Sequence, residues 1–226
     1  MLVNPNNKKF SWSPSAINDF QTCPRQYSAR RFYETLPWVE TEAMRAGTIE
    51  HKHLEDRLKK KTPLPDGFTR GEKYCLAFEK SGIVKAEQKM AINKDLKPVG
   101  WFAKDAWGRC VIDVSVVSGT RLALYDWKTG NIRENSLQLK INACIASLVA
   151  KEIEEYVTRY IWLKHDAVTP HDGNFRIEEI PRLWEEILTV VGQMEDAWKT
   201  ETFNPKPSGL CRNWCDVRSC EFCGKK

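Results

Sequence analysis

The spacing of apolar residues changes character twice along this chain. The opening "SWSPSAINDF" starts a predicted helix, with Ser13 as its cap, Pro14 in the first helical position, and Ile17 and Phe20 on one face. Pro24 should interrupt that helix after Cys23. Residues about 43–60 predict a longer helix with Met44, Leu54 and Leu58 among its apolar positions. "KTPLPDG" breaks the pattern, and residues about 71–80 predict another short helix.

The middle of the chain then shifts to a period of two. "GIVKAEQKMAIN", "VGWFAKD", "RCVIDVSVV" and "RLALYDW" are short, alternating, β-branched or aromatic runs separated by turn residues. They predict an antiparallel meander. A strongly apolar helix follows at about 136–150, then two strands, "VTRYIWLKH" and "NFRIEEI". Residues about 181–200 predict a last amphipathic helix, carrying Leu183, Ile187, Val190, Val191, Met194 and Trp198 at helical spacing. The expected class is α/β (α+β), with a central mixed sheet flanked by helices. Residues 1–203 are expected to form one domain, with an N-terminal helical part at about 11–80. Residues 204–226 are expected to form a cysteine-rich clasp packed on it.

The stretch "GRCVIDVSVVSGTRLALYDWKTG" carries the candidate chemistry. Asp126 and Lys128 stand two apart in one strand, so they leave the same face. A three- or four-residue loop through "SGT" pairs Val117 with Arg121 or Leu122, and places Asp113 opposite Tyr125 or Asp126. The second register juxtaposes two carboxylates, an arrangement that repels unless a cation sits between them. Mg²⁺ takes carboxylate ligands of this kind and keeps positions for water and phosphate. The bland alternative is a pair of polar strand-end residues beside a turn.

Composition adds limits. The 226 residues are 42% hydrophobic and 29% charged, which suits a globular protein and excludes wholesale disorder. The N-terminus lacks the apolar run of a signal peptide, and no stretch approaches a membrane span, so a reducing cytoplasm is expected. The formal charge of +5, gathered partly in "CPRQYSARRFY" and "EDRLKKK", fits a polyanionic partner. Cys75, Cys110 and Cys144 sit in apolar contexts and read as core thiols. Cys211, Cys215, Cys220 and Cys223 crowd into the tail, where a reducing compartment favours metal binding over disulfides.

An Asp followed on the next strand by D-x-K, here "VID" and "DWK", resembles the motif of the PD-(D/E)xK nuclease superfamily. "YDWKTG" is similar to the form found in its RecB-like, phage-type exonuclease branch. "GTIEHKHLE" resembles that branch's helix motif, matching His51 to a metal-binding histidine and Glu55 to the acid that follows. "SPSAINDFQTCPRQY" resembles its N-terminal motif, and "LQLKINA" matches its glutamine motif at Gln138, with Asn142 where a tyrosine is usual. "AEQKM" places Glu87 on the first strand, where relatives often carry an acid.

The resemblance implies a restriction-endonuclease-like core and a metal-dependent deoxyribonuclease acting on single strands or duplex ends. It implies Mg²⁺ or Mn²⁺ held by His51, Asp113, Asp126 and the Trp127 carbonyl, with Glu87 as a further acid, and Lys128 and Gln138 assisting. It also implies a [4Fe–4S] cluster on Cys23, Cys211, Cys215 and Cys220, with Cys223 as rival to Cys220. The irregular C-x3-C, C-x4-C, C-x2-C spacing keeps a zinc site open. The implied setting is recombination or replication, with a protein partner from that machinery and no membrane. The alternative function is a catalytically silent or zinc-knuckle nucleic-acid-binding module.

Overall fold

The computed structural model describes residues 2–132, 136–169 and 173–225. The chain divides into two compact units, residues 40–184 and residues 1–39 with 185–226.

The larger unit is built on a mixed sheet. Its strands are β1 (Ile83–Ile92), β2 (Pro98–Val99), β3 (Gly108–Ser118), β4 (Arg121–Lys128), β5 (Glu155–Trp162), β6 (Ala167–Val168) and β7 (Asn174–Arg176). They are ordered β2-β1-β3-β4-β5-β6, with β7 also on β5. All neighbours are antiparallel except β4 and β5, which run parallel. A parallel pair needs a crossover, and α5 (Leu137–Val149) supplies it. The expected α/β class with a central mixed sheet flanked by helices is what the chain adopts.

Helices α3 (Glu42–Lys60) and α4 (Glu72–Ser81) pack on the sheet. Leu54, Leu58, Cys75 and Phe78 from these helices bury against Ala86, Val114, Val116, Trp127 and Ile161 of the strands. Arg57 ties the two helices together, reaching Glu72 at 2.6 Å and Glu79 at 2.8 Å. α5 also lies against the sheet, with Leu139 packed on Tyr160 and Trp162 of β5. The three thiols read as core residues are buried, and burial pushes Cys75 and Cys110 up to about 12.

Two expected strands changed form. "VGWFAKD" contributes only Val99 to β2, because Ala103 N–H donates to the Gly100 carbonyl and Ala106 N–H to Ala103, turning the chain back. "NFRIEEI" keeps a strand over β7 alone. Glu179 then accepts from the Arg176 N–H, and the chain winds through one 3₁₀ turn into α6 (Ile180–Thr200).

The smaller unit holds α1 (Pro14–Thr22), α2 (Pro24–Tyr27), the later part of α6, and the tail with α7 (Leu210–Asn213). Ser13 Oγ accepts from the Ala16 N–H, and Pro24 separates the first two helices. Trp198 of α6 donates to Tyr27 Oη at 3.0 Å and meets Phe10 and Phe32 edge to face. Among the described residues no helix is long and apolar enough to cross a membrane.

Gly71 lies so close to α3 that a β-carbon there would overlap Leu54 Cδ2, and Leu54 is fully buried. Gly71→Ala should therefore cost about 1–3 kcal/mol in urea unfolding, and the same substitution should cost less in a Leu54→Ala background, where the clashing methyl is gone. A wild-type midpoint in Gly71→Ala would refute this packing.

Candidate active site

The β3–β4 hairpin takes the register with Val117 opposite Leu122, and its ladder ends at Val114 opposite Tyr125. One further step would set Asp113 against Asp126, but there the strands stop pairing. The Trp127 N–H donates instead to Asp113 Oδ2 at 2.8 Å, so a carboxylate takes the place of a backbone acceptor.

β1 shows a matching gap. Its ladder with β3 runs from Ile83↔Val117 to Ile92↔Gly108 but omits the rung between Glu87 and Asp113. Glu87 has φ +49°, a left-handed conformation that costs a non-glycine residue about 1 kcal/mol or more. Opposite Asp113, its side chain joins a trio: donor atoms of His51, Glu87 and Asp113 all lie within 4.8 Å of one another.

His51 comes from α3, with Nδ1 3.5 Å from Asp113 Oδ2. Gly47, one turn earlier, lets that helix approach: a β-carbon there would stand 2.9 Å from Thr129 Oγ1, just past the end of β4. His53, two residues on, turns to Phe68 with ring centroids 4.8 Å apart and takes no part. Glu55 is held by Lys52 and Lys59, each at 2.8 Å.

Asp126 stands outside the trio. Lys128 Nζ lies 2.5 Å from Asp126 Oδ2, and Gln138, the second residue of α5, donates to Asp126 Oδ1. Lys128 in turn donates to Gln138 Oε1 at 3.0 Å, closing a triangle of side chains. Tyr160 on β5, opposite Asp126 in the parallel ladder, places its ring under Lys128 Nζ at 4.8 Å from the centroid. Sequence reasoning missed Tyr160, since only the pairing of β4 with β5 brings it here. Asn142, one turn beyond Gln138, is buried, and its Oδ1 has no hydrogen-bond partner among the described residues.

The electrostatics follow from the crowding. Burial pushes Asp113 well above the usual carboxylate range, and the charges of Asp126 and Glu87 add to this. The Trp127 N–H and Lys128 oppose the rise. Glu87 is raised by burial, then by the charge of Glu55. Burial holds His51 below its usual value, Lys128 acts in the same direction, and Asp126 and the Trp127 backbone oppose. A neutral imidazole beside crowded carboxylates is a donor set that suits a divalent cation, which would relieve the repulsion between the acids.

In the smaller unit Cys23, Cys211, Cys215, Cys220 and Cys223 line one cleft. Cys23 Sγ receives the Lys206 N–H at 3.5 Å, and Cys211 Sγ the Ser208 N–H at 3.4 Å. Burial raises Cys215, and the neighbouring Cys223, Cys211 and Cys23 raise it further.

A family model described as the PD-(D/E)XK nuclease superfamily matches residues 11–221. No curated protein matches the chain. Among solved structures, the crystal structure of SSO0001 aligns at 18% identity with a TM-score of 0.44, covering 81% of this chain and 77% of that one.

Because the native Asp113 carboxyl is raised, the metal-free protein loses stability as pH climbs from the unfolded carboxylate value, about 3.9, through the native one. Asp113→Asn keeps an acceptor for the Trp127 N–H and removes that penalty. In EDTA its melting midpoint should rise, by about 2–4 °C for each kcal/mol recovered. It should also lose the further rise that Mn²⁺ gives the wild type. A midpoint below wild type in EDTA would contradict the charge crowding.

Proposed function

The chain belongs to the PD-(D/E)XK nuclease superfamily, and on that premise we propose that it is a Mg²⁺- or Mn²⁺-dependent deoxyribonuclease. The observation that carries this reading is the meeting of His51, Glu87 and Asp113 beside the Asp126–Lys128–Gln138 triangle.

His51, Glu87 and Asp113 would hold the cation, with Asp126 and the Trp127 carbonyl completing its shell. A bound divalent cation supplies Lewis acidity toward a phosphodiester oxygen and lowers the pKa of water. The Trp127 N–H fixes the rotamer of Asp113, and Gly47 seats α3 so that His51 reaches the acids. Asp126, Gln138 and the Tyr160 ring hold Lys128 Nζ in place. There it neutralises charge developing on the phosphoryl oxygens. The RecB-like, phage-type motifs favour exonuclease or end-processing work in recombination or replication, in a bacterial cytoplasm, on single strands or duplex ends.

The tail is read as a structural clasp around a [4Fe–4S] cluster on Cys23, Cys211, Cys215 and Cys220. Support comes from the five thiols around one cleft and from N–H groups directed at Cys23 and Cys211. Cys223 Sγ donates to the Cys215 carbonyl at 3.4 Å, which sets Cys220 ahead of it as a ligand. Such a cross-link would join positions 23 and 211, whose closure otherwise costs the most chain entropy.

With end-labelled linear DNA, Asp113→Ala and Lys128→Ala should each lower cleavage at least about 100-fold, and EDTA should abolish it. Linear substrate should be shortened and closed circular DNA spared; cutting of circles would replace the exonuclease assignment with an endonuclease one. The purified protein should be brown with broad visible absorbance, and Cys220→Ala should bleach it while Cys223→Ala does not. A colourless protein with stoichiometric zinc would overturn the cluster.

A further inference from the structure

Past the acids of the site, β1 and β3 continue together without β4. Their ladder persists to Ile92↔Gly108, whereas β3 and β4 part beyond Val114↔Tyr125. Gln88–Ile92 therefore carries a ribbon about 17 Å beyond Glu87, at roughly 3.4 Å per residue. β2 pairs with its outer edge, Ala91 opposite Val99, and residues 100–107 close the tip.

That tip is a built structure. Besides the two consecutive turns at 100–106, Arg109 Nε donates to the Trp101 carbonyl at 3.0 Å, and the Trp107 N–H to Ile92 at 2.8 Å. Ile92, Trp107 and Cys110 are buried. On this frame Phe102 stands 91% exposed. Lys89, Lys94, Lys97 and Lys104 are exposed along the same ribbon and tip, and Lys89 Nζ lies 5.9 Å from the Trp101 centroid. Asp95 and Asp105 are the acids of the tip, and Asn93 Nδ2 reaches Asp105 at 3.4 Å.

A lone exposed phenylalanine is ordinary. A phenylalanine held out on a hydrogen-bonded tip, among four lysines, on the strands that carry Glu87 and Asp113, has the chemistry of a nucleic-acid contact. Lysines meet phosphates, and an aromatic ring offers a stacking face to any unpaired base.

We propose that the β1–β3 ribbon is an arm for single-stranded DNA, with Phe102 stacking on an unpaired base beyond the acid site. Delivery of that strand to the acids rests on the nuclease reading; the binding itself does not.

The test measures anisotropy of a labelled duplex with a single-stranded tail of about twelve nucleotides, and of its blunt counterpart, in EDTA across a salt series. Phe102→Ala should weaken the tailed duplex about tenfold, leave the blunt one unchanged, and leave the salt slope unchanged. Lys97→Ala with Lys104→Ala should reduce that slope by about one to two. Wild-type binding of the tailed duplex by both variants would overturn the arm. Cleavage is scored separately in Mn²⁺. If the wild type never cuts but Phe102→Ala loses the tailed duplex, the arm stands and the nuclease reading falls. If cutting is normal and both variants bind as wild type, only the arm falls.

Discussion

Carboxylates forced together in a poorly solvated place are the constraint around which the larger unit is arranged. Asp113 is buried, Asp126 and Glu87 add their charge to its surroundings, and Trp127 N–H and Lys128 offset only part of the resulting repulsion. A sheet selected for stability alone would pair Asp113 with Asp126 through the backbone, or replace one of them. Here the ladder stops one rung short, and the Trp127 N–H that the break releases goes to a side chain.

The same concession appears on the neighbouring strand. Glu87 takes a left-handed backbone conformation in the middle of a ten-residue strand, and the rung opposite it is missing. Strain of this kind persists only where the surroundings over-determine it. Those surroundings are the continuous β1–β3 ladder on either side and the core of Leu54, Phe78, Val114 and Trp127 beneath. Stability from that core is thus set against a site that is costly while its charges are uncompensated. A divalent cation held there would turn the cost into affinity.

Positioning comes from five separate elements of the chain. α3 supplies His51 through the close approach at Gly47, β1 and β3 supply facing acids, β4 supplies Asp126 and Lys128, and α5 supplies Gln138. The parallel pairing of β4 with β5 brings the Tyr160 ring under Lys128, so the crossover through α5 contributes both a ligand of the triangle and its platform. In the smaller unit Cys215 is likewise raised by burial and by three neighbouring thiols.

The sequence alone determined the elements whose signal is local. The Ser13 cap and Pro14, the helical spacing of Leu54 and Leu58, the two-residue period of "RCVIDVSVV" and "RLALYDW", and the same-face offset of Asp126 and Lys128 all depend on near neighbours. The ordered motifs likewise marked the nuclease family and residues that the fold brings together, His51 with Asp113 and Gln138 with Asp126. Where local preference met a competing contact, only tertiary structure decided. "VGWFAKD" alternates like a strand, yet closes the tip of the ribbon with turn hydrogen bonds, and "NFRIEEI" yields its second half to the start of α6. Which register of the hairpin forms, that its ladder breaks at the acids, that Glu87 bends left-handed, and that Tyr160 lies under Lys128 are consequences of strands distant in sequence coming side by side. Pattern along a chain records which face a residue takes; which partner waits on that face is set by the pairing of the whole sheet.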